Sequence, residues 1–178
     1  MNIVINALCF FGALAAMEAV AYFAHKYVMH GFGWFLHESH HRPRQGWFEL
    51  NDLYAAIFAI PSIVLIWFGT NGYPWALWLG LGVAGYGLIY FGFHDVIVHR
   101  RIDHNWRPKS KYMQRIVHAH RLHHALEEKE GAVSFGFIYA PPVPVLRAEM
   151  KAIEAERAAA EGPQPTLNTP LNGRAASQ

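Results

Sequence analysis

Ten of the twelve histidines fall into two spacings, each used twice. Four residues separate His25 from His30 and His94 from His99, while His37, His40 and His41 are matched by His120, His123 and His124. Neutral imidazole ligates iron, zinc, copper and nickel, and ten such ligands exceed what one ion can coordinate, so the pattern points to two ions a few ångströms apart. Positions i, i+3 and i+4 share a helix face, so each triplet is expected to aim three imidazoles at one place. The i, i+5 pairs fit less well. About 140° separates their members round an ideal helix, which requires a helix end, a local bulge or ligation of different ions. His104 and His118 lie outside the spacings and read as surface residues or supports of the ligands.

Other metal chemistries leave histidines over. His37, Glu38 and His41 match the His-Glu-x-x-His string of zinc proteases, but that site would leave seven or more patterned histidines without a role. Haem held by two histidines would likewise use few of them. Paired iron with open positions for O2 uses them all. The lone Cys9 excludes a disulfide framework within one chain, a four-cysteine iron-sulfur cluster and a Cys-rich zinc finger. A net charge of +2 with no Lys/Arg cluster among aromatics gives no nucleic-acid surface.

The elements that must position these imidazoles are greasy. Only 16% of the chain is charged, and from Leu53 to Phe93 there is no Asp, Glu, Lys, Arg or His. That run breaks at Gly69-Thr70-Asn71-Gly72-Tyr73-Pro74, a turn sequence, leaving Leu53 to Phe68 and Trp75 to Phe93 as two spans of roughly 24 and 28 Å. A third, Ile3 to Ala24, carries only Glu18, an intramembrane carboxylate that invites either a functional reading or a partner helix or wet crevice. No basic residue precedes it, so a cleaved signal peptide is the weaker reading. The expected fold is an all-α integral membrane bundle of about three membrane segments, or four if a further half-buried helix between 110 and 125 dips into the membrane, with a cytoplasmic histidine-rich metal site. All 15 Lys and Arg lie at Lys26, Arg42, Arg44 or from Arg100 onward, which places the histidine side in the cytoplasm. Gly80, Gly82, Gly85, Gly87 and Gly92 in the third span mark close helix packing or room for a ligand. The bundle is expected to occupy residues 1–145. Residues 146–178 read as an exposed helix to 161 and a disordered tail from Gly162.

Three segments carry a resemblance beyond the histidines: His37-Glu38-Ser39-His40-His41-Arg42-Pro43-Arg44 with its continuation to Asp52, Phe93 to Arg101, and His118 to Ala125 with Glu130 to Gly136. In this order they resemble the fatty acid hydroxylase superfamily of membrane non-haem di-iron enzymes, and most narrowly its bacterial β-carotene 3-hydroxylase branch, over about residues 10 to 145. The resemblance implies two iron ions on His25, His30, His37, His40, His41, His94, His99, His120, His123 and His124. It also implies a monooxygenase that uses O2 to hydroxylate carbon 3 of each β-ionone ring of β-carotene, through β-cryptoxanthin to zeaxanthin. Electrons would come from a separate carrier, ferredoxin with its reductase, for which the basic stretch Arg100 to Arg115 offers a docking face or, equally, a lipid-headgroup contact. Asp95, Asp103, Asn51, Asp52 and Glu38 are near enough to orient ligands or to serve as caps and ion pairs. Trp75, Trp78, Tyr86, Tyr90 and Phe93 are candidates for a substrate path or for lipid-facing packing. Rival readings are a hydroxylase, ketolase or desaturase of another lipid, a membrane zinc protease, and a His-rich metal carrier; the carrier would place more ionisable groups inside its spans.

Overall fold

Hydrocarbon length and turn chemistry account for the order of elements in the computed structural model, which describes residues 2–44 and 46–161. Helix α1 runs Ile3–Phe32, started by the Asn2 side chain accepting from the Val4 N–H at 3.0 Å. A short α2, Trp34–His37, tightens into a 3-10 turn over Glu38–His41. Helix α3, Asp52–Thr70, ends at a turn in which Gly72 adopts a φ of 109°, and α4, Pro74–Val98, starts with proline in its first turn. Helix α5, Lys111–His123, is capped by the Ser110 hydroxyl, which accepts from the Met113 N–H, and α6 spans Val143–Glu161. The described residues are helical with no strand, as expected.

Helices α1, α3 and α4 are long and apolar enough to cross a membrane, and their faces are coated with exposed Ile, Leu, Val and Phe that only lipid would cover. This is a membrane protein with three candidate spans; α5 is the additional helix expected between 110 and 125 and is not among them. α4 packs against both α1 and α3, which scarcely meet each other. Gly80 and Gly82 permit this closeness, since a Cβ at either would lie within 3 Å of Ser62 or Ile66 on α3 or of Phe10 on α1. The chain direction then brings the ends of α1 and α4 and the start of α3 together on one side.

The helix read from 146 begins earlier, at Val143, with Pro144 in its first turn where the missing N–H is harmless. It is not wholly exposed. Leu146 is fully buried with Ala119, Val133 and Ala140, Arg157 donates to Glu128 and to the Glu130 carbonyl, and Arg147 donates to His118 Nε2 at 3.2 Å. His118 is thus a tether between α5 and α6. His104 steadies the loop after α4, with Nε2 2.9 Å from the Val96 carbonyl. The expected tail from Gly162 lies outside the described residues.

Candidate metal centre

Both i, i+5 pairs lie where the helix widens. Ala24–Phe32 and Phe91–Val98 are π-helical, and the His99 N–H donates to the His94 carbonyl five residues back at 2.9 Å. In a π-turn the i and i+5 positions come onto one face, which removes the 140° mismatch of the ideal α-helix. The first widened segment is kinked at Gly31, whose φ of −113° and ψ of −126° leave helical space shortly before α2.

The ten patterned histidines then sort into two groups of five. His25, His30, His37, His41 and His123 form one, and His40, His94, His99, His120 and His124 the other; within each, one ring nitrogen per residue lies within 4.8 Å of all the others. The expectation that each triplet converges on one place needs correction. The i and i+4 members stay together, His37 with His41 and His120 with His124, whereas the i+3 members His40 and His123 cross to the opposite group. Adjacent residues point about 100° apart round a helix, which directs the i+3 and i+4 rings to different groups here. The exchange ties the two halves of the internal repeat into one double site, and His41 stacks on His124 across it at 4.3 Å between ring centroids.

Acceptors behind the rings orient them. Nδ1 of His25, His30, His41 and His123 faces the carbonyls of Phe135, Lys129, Leu126 and Val133 at 2.8 to 3.1 Å. Nδ1 of His37, His40 and His94 faces Asn51 Oδ1, Glu49 Oε2 and Asp95 Oδ1 at 2.7, 3.0 and 2.7 Å. These oxygens accept, so in each neutral ring the proton sits on Nδ1 and the Nε2 lone pair points inward. Burial keeps the rings neutral: it lowers His37 to about 3 and both His41 and His99 to about 4, and holds His40, His120 and His123 well below the usual histidine range.

Lone pairs therefore face lone pairs. The Nε2 atoms of His30 and His123 are 3.2 Å apart, those of His25 and His37 3.2 Å, and those of His40 and His94 3.0 Å, with no proton available between them. His124 Nε2 is buried without a partner. Two nitrogens each ~2.1 Å from one ion and at right angles would be ~3.0 Å apart. The donor set thus fits a cation in each group, and hydrogen bonding alone does not account for it.

Of the residues expected to support the ligands, Asn51 and Asp95 do so directly. Asp52 instead pairs with Arg101 at 2.7 Å and accepts from the Glu49 N–H, and Asp103 is exposed. Glu38 turns to the surface, where it holds Arg42 at 2.7 Å. That orientation disfavours a zinc protease, whose glutamate must face metal-bound water. Sequence reasoning missed Glu49 and the four carbonyls. The loop carbonyls carry no side-chain signal, whereas Glu49 lies inside the resembling segment. Exchange of Glu49 for alanine is expected to lower metal affinity at the second group by 10- to 100-fold, read by chelator competition, and to leave the first group loaded.

Glu18 has a structural explanation. Its Oε1 accepts the backbone N–H groups of Phe137, Ile138 and Tyr139, each at 3.0 Å, and its Oε2 accepts from the Tyr86 hydroxyl at 2.7 Å. The carboxylate pins to α1 the loop that supplies the carbonyls behind His25 and His123.

Comparison with known proteins agrees with this geometry. The family model described as fatty acid hydroxylase matches residues 10–141. The chain is 48% identical over 171 residues to a protein of Pantoea ananas named beta-carotene hydroxylase, covering 95% of this chain and 97% of that one. A protein of the same name from Pseudescherichia vulneris is 51% identical over 154 residues, covering 86% and 85%. Beta-carotene hydroxylase 1, chloroplastic, of Capsicum annuum is 42% identical over 135 residues, covering 74% of this chain and 42% of its own length. No solved structure matches the chain significantly.

Proposed function

This chain belongs to the fatty acid hydroxylase family, and from that premise we propose that it is a membrane β-carotene 3-hydroxylase whose ten patterned histidines hold two iron ions. The observation that carries the metal assignment is the pair of five-histidine groups with inward lone pairs. Relatives named for β-carotene hydroxylation at 48% and 51% identity support the substrate. Each turnover converts a ring C–H to C–OH with one atom of O2; the other leaves as water with two electrons and two protons.

Two irons held in this way supply the O2 activation and the oxidising power needed at a CH2 that no double bond activates. The chain's own residues do the rest. Asn51, Glu49 and Asp95 fix three rings, the Glu18-anchored loop fixes two more, and burial of the rings limits the access of bulk water to them. The single Cys9 leaves no thiolate set for an iron-sulfur relay, so electrons come from a separate carrier of ferredoxin type. Arg101 is committed to Asp52 and Asp95, which leaves exposed Arg100, Arg107, Lys109 and Lys111 to meet an acidic carrier. The distribution of basic residues supports a cytoplasmic position for this face and the metal site, beneath the inner membrane.

Expression in bacteria that accumulate β-carotene tests the reading. Zeaxanthin, with β-cryptoxanthin at early times, is the expected outcome. Unchanged β-carotene with iron and air supplied would overturn it, and a ring ketone would redirect it to a ketolase of the same family.

A further inference from the structure

Because α4 packs against two helices that scarcely touch, it forms the floor of a cleft whose walls are α1 and α3. The cleft encloses about 390 Å³, within the size of small-molecule sites. Met17 on α1, Ala59 and Ile63 on α3, and Ala84 and Gly87 on α4 line it. It opens sideways to lipid, since Ile63 and Leu88 at its mouth are 64% and 74% exposed.

Three of the hydroxyls on its walls are already spent. Tyr54 donates to the Gly33 carbonyl at 2.9 Å, Ser62 to the Gly80 carbonyl at 2.8 Å, and Tyr86 to Glu18 at 2.7 Å. What the walls offer an occupant is hydrocarbon surface, which suits a molecule without hydrogen-bonding groups and penalises a polar one.

At its inner end the cleft meets both histidine groups through aromatic rings. Phe137 stacks on His25 of the first group at 5.2 Å and 12°, and meets His94 of the second edge-on at 5.3 Å and 86°. Tyr90 stacks on the other side of this corner, 4.5 Å from His94. Both line the cleft, and Asp95, which holds His94, lies at the same end. From Val83 to Asp95 the floor is ~18 Å long, enough for a ring and part of a polyene but shorter than the ~30 Å hydrocarbon core.

We propose that this cleft admits one cyclic end group of the carotenoid sideways from the lipid, with Phe137 and Tyr90 as the end wall that stops the ring beside the two histidine groups. The assignment rests on the carotenoid reading above. Gly87 keeps the path open. A Cβ there would meet no atom within 4 Å, unlike Gly80 and Gly82, where neighbouring helices occupy the space. Glycine inside a helix carries a stability cost relative to alanine, and packing at this position does not require it.

The test is a size series, Gly87→Ala, Gly87→Leu and Gly87→Phe, beside Gly12→Leu, a lipid-facing position outside the cleft that also has no atom within 4 Å of a Cβ. β-Carotene conversion in cells, β-carotene retained by the purified protein and iron per chain are read together. Expected is a graded fall in conversion, at least tenfold for Leu, with a matching loss of retained β-carotene, unchanged iron, and a Gly12→Leu protein like the parent. Full conversion and retention by Gly87→Leu and Gly87→Phe would overturn the cleft, whereas failure of the parent chain to hydroxylate would overturn the function on which it rests. Should iron fall in the larger variants, Ala59→Phe, which fills the same space from α3, decides by the same criteria.

Discussion

Replacing His120 with alanine is expected to abolish ring hydroxylation, a loss of at least about 100-fold, while membrane insertion persists and iron falls from two per chain towards one. His120 is buried on α5 with its Nε2 2.9 Å from that of His99, inside the second group. Even loss of a residue that merely orients a ligand costs 10- to 100-fold in metal affinity or activity, and loss of the ligand itself costs more. Alanine is the best helix former, so α5 should survive the exchange. His25→Ala is the counterpart in the first group and should likewise leave about one iron. If either variant retained both irons and full turnover, that histidine would leave the ligand set. Activity and metal content by elemental analysis of the purified protein decide the matter together.

The second large effect belongs to a residue that touches no metal group. Glu18→Ala should destabilise the protein by several kcal/mol and strip iron from the first group in preference to the second. The carboxylate satisfies three backbone N–H groups and one hydroxyl, of which the Phe137 and Ile138 N–H groups and the Tyr86 hydroxyl are partly buried, and a donor left unpaired in a buried place costs about 1–3 kcal/mol. Relief comes if residues 136–139 move, but the same loop carries the Phe135 and Val133 carbonyls that orient His25 and His123. Gly136 belongs to this arrangement, because a Cβ there would lie 2.8 Å from the Glu18 carboxylate. Glu18→Gln, which keeps one carbonyl oxygen, should be milder, and Tyr86→Phe milder still. Thermal melting with iron content per chain checks the series; an Ala variant with parental melting and full iron would remove the anchoring role.

How much of this was legible in the sequence differs by element. The spans and their turn were, because hydrocarbon thickness and a charge-free run from Leu53 to Phe93 leave few alternatives. The ten histidines were, because their spacings repeat. Their division between the two groups was not: a shared helix face suggested a converging triplet, whereas His40 and His123 cross to the opposite group, and the pairs that would diverge on an ideal α-helix come together. Widened turns at Ala24–Phe32 and Phe91–Val98 have no side-chain signature, and the crossing of His40 and His123 depends on how distant segments dock. Supports supplied by carbonyls at 126, 129, 133 and 135 are equally silent, since any residue type provides a C=O. Of the candidate path aromatics, Tyr86 and Tyr90 line the cleft, whereas Trp78 lies on α4 near the opposite end. The helix read as exposed buries Leu146 because α5 offers it an apolar face that sequence alone did not reveal.

In the proposed enzyme the two five-histidine groups hold two iron ions. Metal analysis of the full chain, purified from iron-replete cells and scored for iron and zinc per polypeptide, tests this assignment most directly. Two irons per polypeptide with negligible zinc are expected. One iron per chain, or zinc in place of iron, would contradict it.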